Sequence, residues 1–346
     1  MLILAIDTSC DETAVAINSN IQILSSAVWS QSTLHASFGG VLPSLAQRQH
    51  QARIDWIVNK ALVNCKLKIE NCDCIAVTIG PGLAIALEVG INKAKELAVK
   101  YKKPLIPVNH VEAHLLSPLA VPRSRILDLR SMKFPCFGLI LSGGTTVLCL
   151  VKAIGDYEIL AETADDALGE ALDKAARLVG LGYPGGAILE KFAKTGDPKK
   201  YRLPLPLQND VIKNRFSYSG LKTAFVRLFE TIKKPTKQDI ADLAASFQST
   251  AFDHILKVLE FQIINSSFLT HNLLFGGGVA NNIELKKRLR KLCKKYGIKL
   301  LVPYTKKLNG DNAAMIGVCA YLKYKNSNLK DFFDYNSVDR NPKLKI

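Results

Sequence analysis

Two stretches of this 346-residue chain follow one plan. Residues 3–18, ILAIDTSCDETAVAIN, pass from an apolar strand through a polar turn into a second apolar strand. Residues 137–152, FGLILSGGTTVLCLVK, repeat the sketch with Gly143 and Gly144 at the bend. Alternating strand and helix material follows each hairpin, which predicts an internally duplicated α/β fold, two lobes flanking a cleft. Turns of small residues bare their backbone N–H groups, a surface that suits phosphate oxygens.

Further turns fit the same chemistry. LLFGGGVANN, residues 273–282, follows an apolar strand and precedes a helix starting near Ile283, which sets amide donors and a helix N-terminus together. TIGPGLAIALEVG puts Pro81 and Gly82 ahead of a helix expected to reach about Tyr101 and reads as another phosphate-type turn. In TADDALGEALDKAARLVGLGYPGG, Ala167, Ala171, Ala175 and Val179 recur every four residues on a helix that closes at Gly180. Glu170 and Asp173 offer carboxylates to ribose hydroxyls, and the Tyr183-Pro-Gly-Gly turn offers bare backbone to a base. The plainer reading of that segment is an amphipathic helix with a stop signal.

In VNHVEAHLLSP, His110 and His114 lie four apart, so a helix places both imidazoles on one face, where they can share a metal ion. A zinc protease carries its general-base glutamate directly after the first histidine. Here that residue is Val111, and Glu112 is turned roughly 200° from His110. NGDNAAMIG places Asp311 before a helix running through Ala320, where it serves either as N-cap or as a third ligand. Two imidazoles and one carboxylate suit zinc or ferrous iron.

A net charge of +16 predicts attraction to polyanions, nucleic acid above all. Much of it falls in residues 284–299, ELKKRLRKLCKKYGIK, on an expected exposed helix. The eight cysteines show no CxxC pair and read as reduced thiols. Cys10, beside Asp11 and Glu12, is a poor nucleophile, since adjacent carboxylates raise a thiol's pKa. No membrane-spanning run or signal segment is visible, so a cytoplasmic protein with no membrane contact is expected.

Taken in order, DTSCDETAVAI, HASFGGVLPSLAQRQH, GPGLAIALEVG, NHVEAHLL, LSGGTT, DDALGEALDKAARLVGLGYPGG, FSYSGLKTA, FGGGVANN and NGDNAAMIG resemble the TsaD family, from Leu2 to about Tyr324. These are tRNA N6-adenosine threonylcarbamoyltransferases, once described as Gcp or O-sialoglycoprotein endopeptidases. The resemblance implies an actin-like, Hsp70-like ATPase (ASKHA) fold, with two duplicated lobes around a nucleotide and metal cleft. We divide the chain into an N-terminal lobe at 1–130, a C-terminal lobe at 131–325 and a basic tail at 326–346.

The implied reaction transfers threonylcarbamoyl from L-threonylcarbamoyl-adenylate to N6 of adenosine 37, in tRNAs reading codons that begin with A, with release of AMP. By the same resemblance His110, His114 and Asp311 hold one Fe²⁺ or Zn²⁺ per subunit. Ile140, Leu141, Ser142, Gly143 and Gly144 contact the adenylate, with Asp173, Gly186, Glu190 and Asn282 around its ribose and base. Asp11 is our candidate general base and Glu12 the alternative. Expected partners are the tRNA anticodon arm, a TsaB-like paralogue and a TsaE-like ATPase.

Thr145 stands where the family usually has histidine, and Asp7 where bacterial members carry glutamate. In the mobile-looking segment 35–50, Arg48 is a candidate phosphate contact. Rival readings are a metal-dependent endopeptidase, a non-catalytic nucleotide-binding subunit of the same complex, and a sugar or acetate kinase.

Overall fold

The computed structural model describes residues 1–124, 132–182, 184–207, 214–266, 268, 270–325 and 327–346. The chain divides into two compact units: Met1–Met132 with Val302–Ile346, and Lys133–Leu301.

The first unit opens with β1 (Leu2–Asp7), β2 (Glu12–Ser19) and β3 (Gln22–Ser30), then α1 (Ser32–Ala36) and α2 (Pro43–Cys65). It continues with β4 (Cys74–Gly80), α3 (Ala84–Tyr101), β5 (Leu105–Asn109) and α4 (His110–Leu116). The sheet order is β3-β2-β1-β4-β5. The hairpins β1–β2 and β2–β3 are antiparallel, and β4 and β5 join in parallel through helical crossovers.

Strand side chains alternate between faces. Leu4, Ile6, Val15, Ile17, Ile75 and Val77 point into one core with α2 and α3. Asp7 therefore points to the opposite face, together with Ala5.

The second unit repeats the plan with β6 (Cys136–Leu141), β7 (Thr146–Ala153), β8 (Asp156–Thr163), α5 (Leu168–Leu178) and α6 (Gly185–Ala193). It adds β9 (Arg215–Phe216), α7 (Ser219–Glu230), α8 (Lys237–Asn265), β10 (Asn272–Gly276), α9 (Ile283–Lys295) and β11 (Lys299–Leu301). Its order is β11-β10-β6-β7-β8-β9. Apart from β9 this is the first sheet again: an antiparallel meander β6–β7–β8, with β10 and β11 parallel to β6. The duplication expected from the two hairpins is a duplication of whole sheets.

The boundary differs from the expected one. After β11 the chain returns to the first unit, so 302–325 belongs there rather than to a C-terminal lobe. The cause is α10 (Ala313–Tyr324), buried at every position from Ala313 to Ala320. A helix apolar on all sides needs cover all round, and α10 finds it against β1, β2 and α4. Asn18 Nδ2 donates to the Ala314 carbonyl at 3.0 Å to fix the contact.

Residues 326–346 are not a free tail in the part described. The Asn341 N–H donates to the Ile79 carbonyl at 2.7 Å, and Gly82 N–H to the Pro342 carbonyl at 3.3 Å. A side chain at Gly80 would land on the Asn341 carbonyl oxygen, so the strap requires glycine there.

Candidate metal and nucleotide sites

Both units put their candidate residues at the C-terminal ends of parallel strands, where α/β sheets place ligands. In the first unit Asp7 ends β1, and His110 follows directly on β5. Asn109, between β5 and α4, accepts from the Val111 and Glu112 N–H groups at 2.8 and 3.1 Å and so caps the short helix. His114 comes one turn later.

Asp311 meets this pair from the segment ahead of α10. Its Oδ1 lies 3.1 Å from His114 Nε2 and 3.5 Å from His110 Nε2. One donor atom from each of the three residues falls within 4.8 Å of the others. A tetrahedral ion with bonds of about 2.1 Å keeps its donors about 3.4 Å apart, so the donor set fits a zinc- or iron-sized ion.

Asp311 is not the N-cap of α10, one of the two roles left open for it. That role belongs to Asn312, whose side chain accepts from Met315 N–H at 3.0 Å. The one-residue offset leaves the aspartate carboxylate to the histidines.

The three groups shift one another's protonation. Burial opposes charge on His110, but the Asp311 and Asp7 carboxylates outweigh it and raise its pKa well above the ordinary value. Burial lowers that of His114. Burial likewise disfavours the Asp311 carboxylate, yet the two histidines hold its pKa far below the carboxylate range. Asp7 Oδ2 and His110 Nδ1 are both buried without a hydrogen-bond partner and face one another at 3.6 Å.

Glu112 lies away from these donors, as its spacing implies. It is 2% exposed, and Oε2 pairs with Lys323 Nζ of α10 at 3.0 Å.

The turn joining β1 to β2 carries Cys10, Asp11 and Glu12. Glu12 Oε1 accepts from Ser30 Oγ at 3.0 Å. Its pKa is raised well above the usual value by burial, then by Asp311 and Asp11, with Asp11 also sharing a hydrogen bond. Burial and nearby carboxylates raise Cys10 as well, which removes it as a nucleophile.

A buried polar network that the sequence did not reveal fastens this turn. His50 lies 3.0 Å from the Cys10 carbonyl through Nε2 and 2.8 Å from Thr13 Oγ1 through Nδ1. Gln31 joins His50 to His35 and gives its backbone N–H to the Asp11 carbonyl at 3.0 Å. The segment 35–50, expected to be mobile, is thus anchored by its two histidines. Arg48 is exposed on α2, with Nε on the Ser44 carbonyl at 3.4 Å.

The GPGL turn differs from its reading as a phosphate cradle. Gly82 N–H is taken by Pro342 and Leu83 N–H by the Ser9 carbonyl.

In the second unit Ile140 and Leu141 end β6, and Ser142, Gly143 and Gly144 form the bend. Ser142 N–H donates to the Thr145 carbonyl at 2.8 Å, and Ser142 Oγ accepts from Thr145 N–H at 3.0 Å. No atom would obstruct a Cβ within 4 Å at Gly143 or Gly144, so both stand open to a ligand. Gly277, at φ 91°, packs on the Leu141 carbonyl so closely that any Cβ would collide with it.

The remaining candidates of this unit bond to helix N-termini. Asp173 Oδ1 accepts from Gly186 N–H at 2.6 Å at the start of α6, and burial raises its pKa. Asn282 caps α9 by accepting from Leu285 N–H at 3.0 Å and donates to Gln248 Oε1 at 2.9 Å. Glu190 Oε1 accepts from Ile283 N–H at 2.8 Å. Asp173, Glu190 and Asn282 thus hold helix N-termini, a role that periodicity could not assign. Tyr183 lies outside the described residues.

Comparison with known proteins agrees with this architecture. A family model described as TsaD: tRNA N6-adenosine threonylcarbamoyltransferase matches residues 22–318. A curated relative of that name from Thermosipho africanus is 40% identical, covering 100% of both chains. One from Pelagibacter ubique is 42% identical over 97% of this chain and 92% of its own. Among solved structures, HypF from T. kodakarensis superposes with a TM-score of 0.61 at 15% identity, over 96% of this chain and 48% of that one. That likeness carries the fold alone, which is the actin-like, Hsp70-like ATPase (ASKHA) fold. By its length of match and its relatives, this chain belongs to the TsaD family of tRNA N6-adenosine threonylcarbamoyltransferases.

Proposed function

We propose that this protein transfers the threonylcarbamoyl group of L-threonylcarbamoyl-adenylate to N6 of adenosine 37 in tRNAs reading codons that begin with A. The observation that carries the proposal is the convergence of His110, His114 and Asp311 within 4.8 Å, in a chain of this family. These three would hold one Fe²⁺ or Zn²⁺. Such an ion supplies Lewis-acid polarisation of carbonyl or phosphate oxygens.

The protein's own groups account for the rest. The Ile140–Gly144 bend receives the adenylate on open backbone, with Asp173, Gly186, Glu190 and Asn282 around its ribose and base. The exocyclic amine of adenine attacks the carbamoyl carbon as Asp11 accepts its proton. The carbon–oxygen bond to AMP then breaks, and AMP leaves with the electron pair. Glu12 lies in the same turn, its Oε1 accepting from Ser30 Oγ at 3.0 Å. Glu12 is the alternative base.

The endopeptidase reading loses its general base, because Glu112 is paired with Lys323. We further assign the protein to the cytoplasm, acting with a TsaB-like paralogue and a TsaE-like ATPase on the tRNA anticodon arm. Among the described residues no helix is long and apolar enough to cross a membrane.

The test supplies purified protein and those partners with the adenylate and tRNA, and reads the modified nucleoside. Wild type should form it, and Asp311→Asn should not. Asp11→Ala should lose about 100-fold or more. Near-full transfer by Asp11→Ala at saturating adenylate would remove Asp11 as the base, and no product from wild type would remove the function.

A further inference from the structure

We infer that the outer face of α9 is a docking surface for the RNA phosphate backbone. The inference rests on the tRNA reading above and names where on the second unit the RNA is held.

The helix presents two faces of opposite character. Leu285, Leu289 and Cys293 are buried. At about 100° per residue, Lys287, Arg290, Lys291 and Lys294 fall within an arc of about 100° on the other side, and all four are exposed. The stripe runs for about 10 Å along the axis, at 1.5 Å per residue.

Ordinary surface lysines share their charge with neighbouring acids, and the acids near this helix are engaged elsewhere. Glu284 and Asp253 pair with Arg288 at 2.8 and 3.0 Å. Glu260 takes Lys295 and the Tyr296 hydroxyl at 2.8 and 2.7 Å. Among the described residues no carboxylate pairs with the four stripe cations. The result is concentrated, uncompensated positive charge on a rigid element, the footprint of polyanion binding.

The stripe also begins close to the chemistry. The N-cap of α9 is Asn282, one of the residues assigned to the adenylate, and Lys287 follows within two turns. An RNA held along α9 has its phosphates on the element that frames that site. A lipid surface fits less well, because a membrane-lying helix turns an apolar face outward and the apolar residues of α9 point into the protein.

The experiment uses the full chain with K287A/R290A/K291A/K294A, and K199A/K233A/K234A/K237A as a control of equal charge from other exposed positions. Both should keep the wild-type melting temperature. Affinity for a tRNA transcript is measured from 50 to 300 mM salt, with about 0.7–0.9 lost from the log–log salt slope per phosphate contact. The α9 variant should bind at least about tenfold more weakly at low salt, with a slope reduced by about 3, while the control stays near wild type.

The inference is overturned by wild-type affinity and slope in the α9 variant. It is equally overturned by an equal loss in the control, or by a loss of binding to phosphatidylserine vesicles with tRNA affinity intact. Wild-type protein that binds tRNA through α9 yet transfers nothing would sink the functional reading and leave this one standing.

Discussion

Asp7 Oδ2 faces His110 Nδ1 at 3.6 Å, each buried and each otherwise without a partner. The other ring nitrogen of His110 faces Asp311. A histidine that gives Nε2 to a metal and Nδ1–H to a carboxylate has its tautomer and ring orientation fixed, with a more basic donor atom. We propose that Asp7, at the end of β1, orients His110 for a metal ion held with His114 and Asp311.

Asp7→Asn should weaken divalent metal binding by about 10–100-fold and leave a folded protein. Chelator competition measures this without recourse to activity. Wild-type metal affinity in the variant would remove the orienting role.

Little of that relationship was legible in the sequence. The histidine spacing and the distant aspartate were, because four-residue periodicity and ligand type survive without coordinates. Asp7 registered only as a replacement at the end of a strand. Its role needed strand alternation and the parallel joining of β1, β4 and β5, which bring residues 7 and 110 together. Asp311 was read one residue out of place as a possible cap, since Asp and Asn are equally good N-caps and only the fold shows that Asn312 takes the position. The return of α10 to the first unit was likewise hidden, because local pattern marks an apolar helix without naming the sheet it covers.

Lys323→Met should cost about 2 kcal/mol, because it removes the lysine that pairs with the buried Glu112 carboxylate. Lys323 itself is 37% exposed, which keeps the cost below that of a fully buried pair. Glu112→Gln in the same background should recover much of it. Urea denaturation of the single and double variants checks both, and additive losses would contradict the pairing.

His254 gives the second unit a pH dependence. Burial holds its pKa at about 4, and its Nε2 accepts from Ser217 N–H at 3.2 Å, which requires the neutral ring. Above about pH 6.5 folded and unfolded chains carry the same charge here. As pH falls from there toward 4, the unfolded chain takes a proton that the fold refuses, and about 3 kcal/mol is lost. The stability gap between wild type and His254→Gln should shrink across that window. A constant gap would contradict the buried neutral histidine.

The C-terminal strap is tied to the cap of α4. Asn109, which caps α4, donates Nδ2 to the Lys345 carbonyl at 2.9 Å. Deleting residues 340–346 should lower the melting temperature by several degrees, at about 2–4 °C per kcal/mol, and weaken metal binding. Lys343→Ala, at an exposed position of the strap, should change neither. An unaltered deletion variant would show the strap to be passive.

The central claim is that this chain modifies tRNA. Its most direct test digests tRNA from cells depleted of the protein and measures N6-threonylcarbamoyladenosine by mass spectrometry. The account predicts that the nucleoside disappears, returns with the wild-type chain and does not return with His114→Ala. Undiminished nucleoside after depletion, or full rescue by His114→Ala, would contradict it.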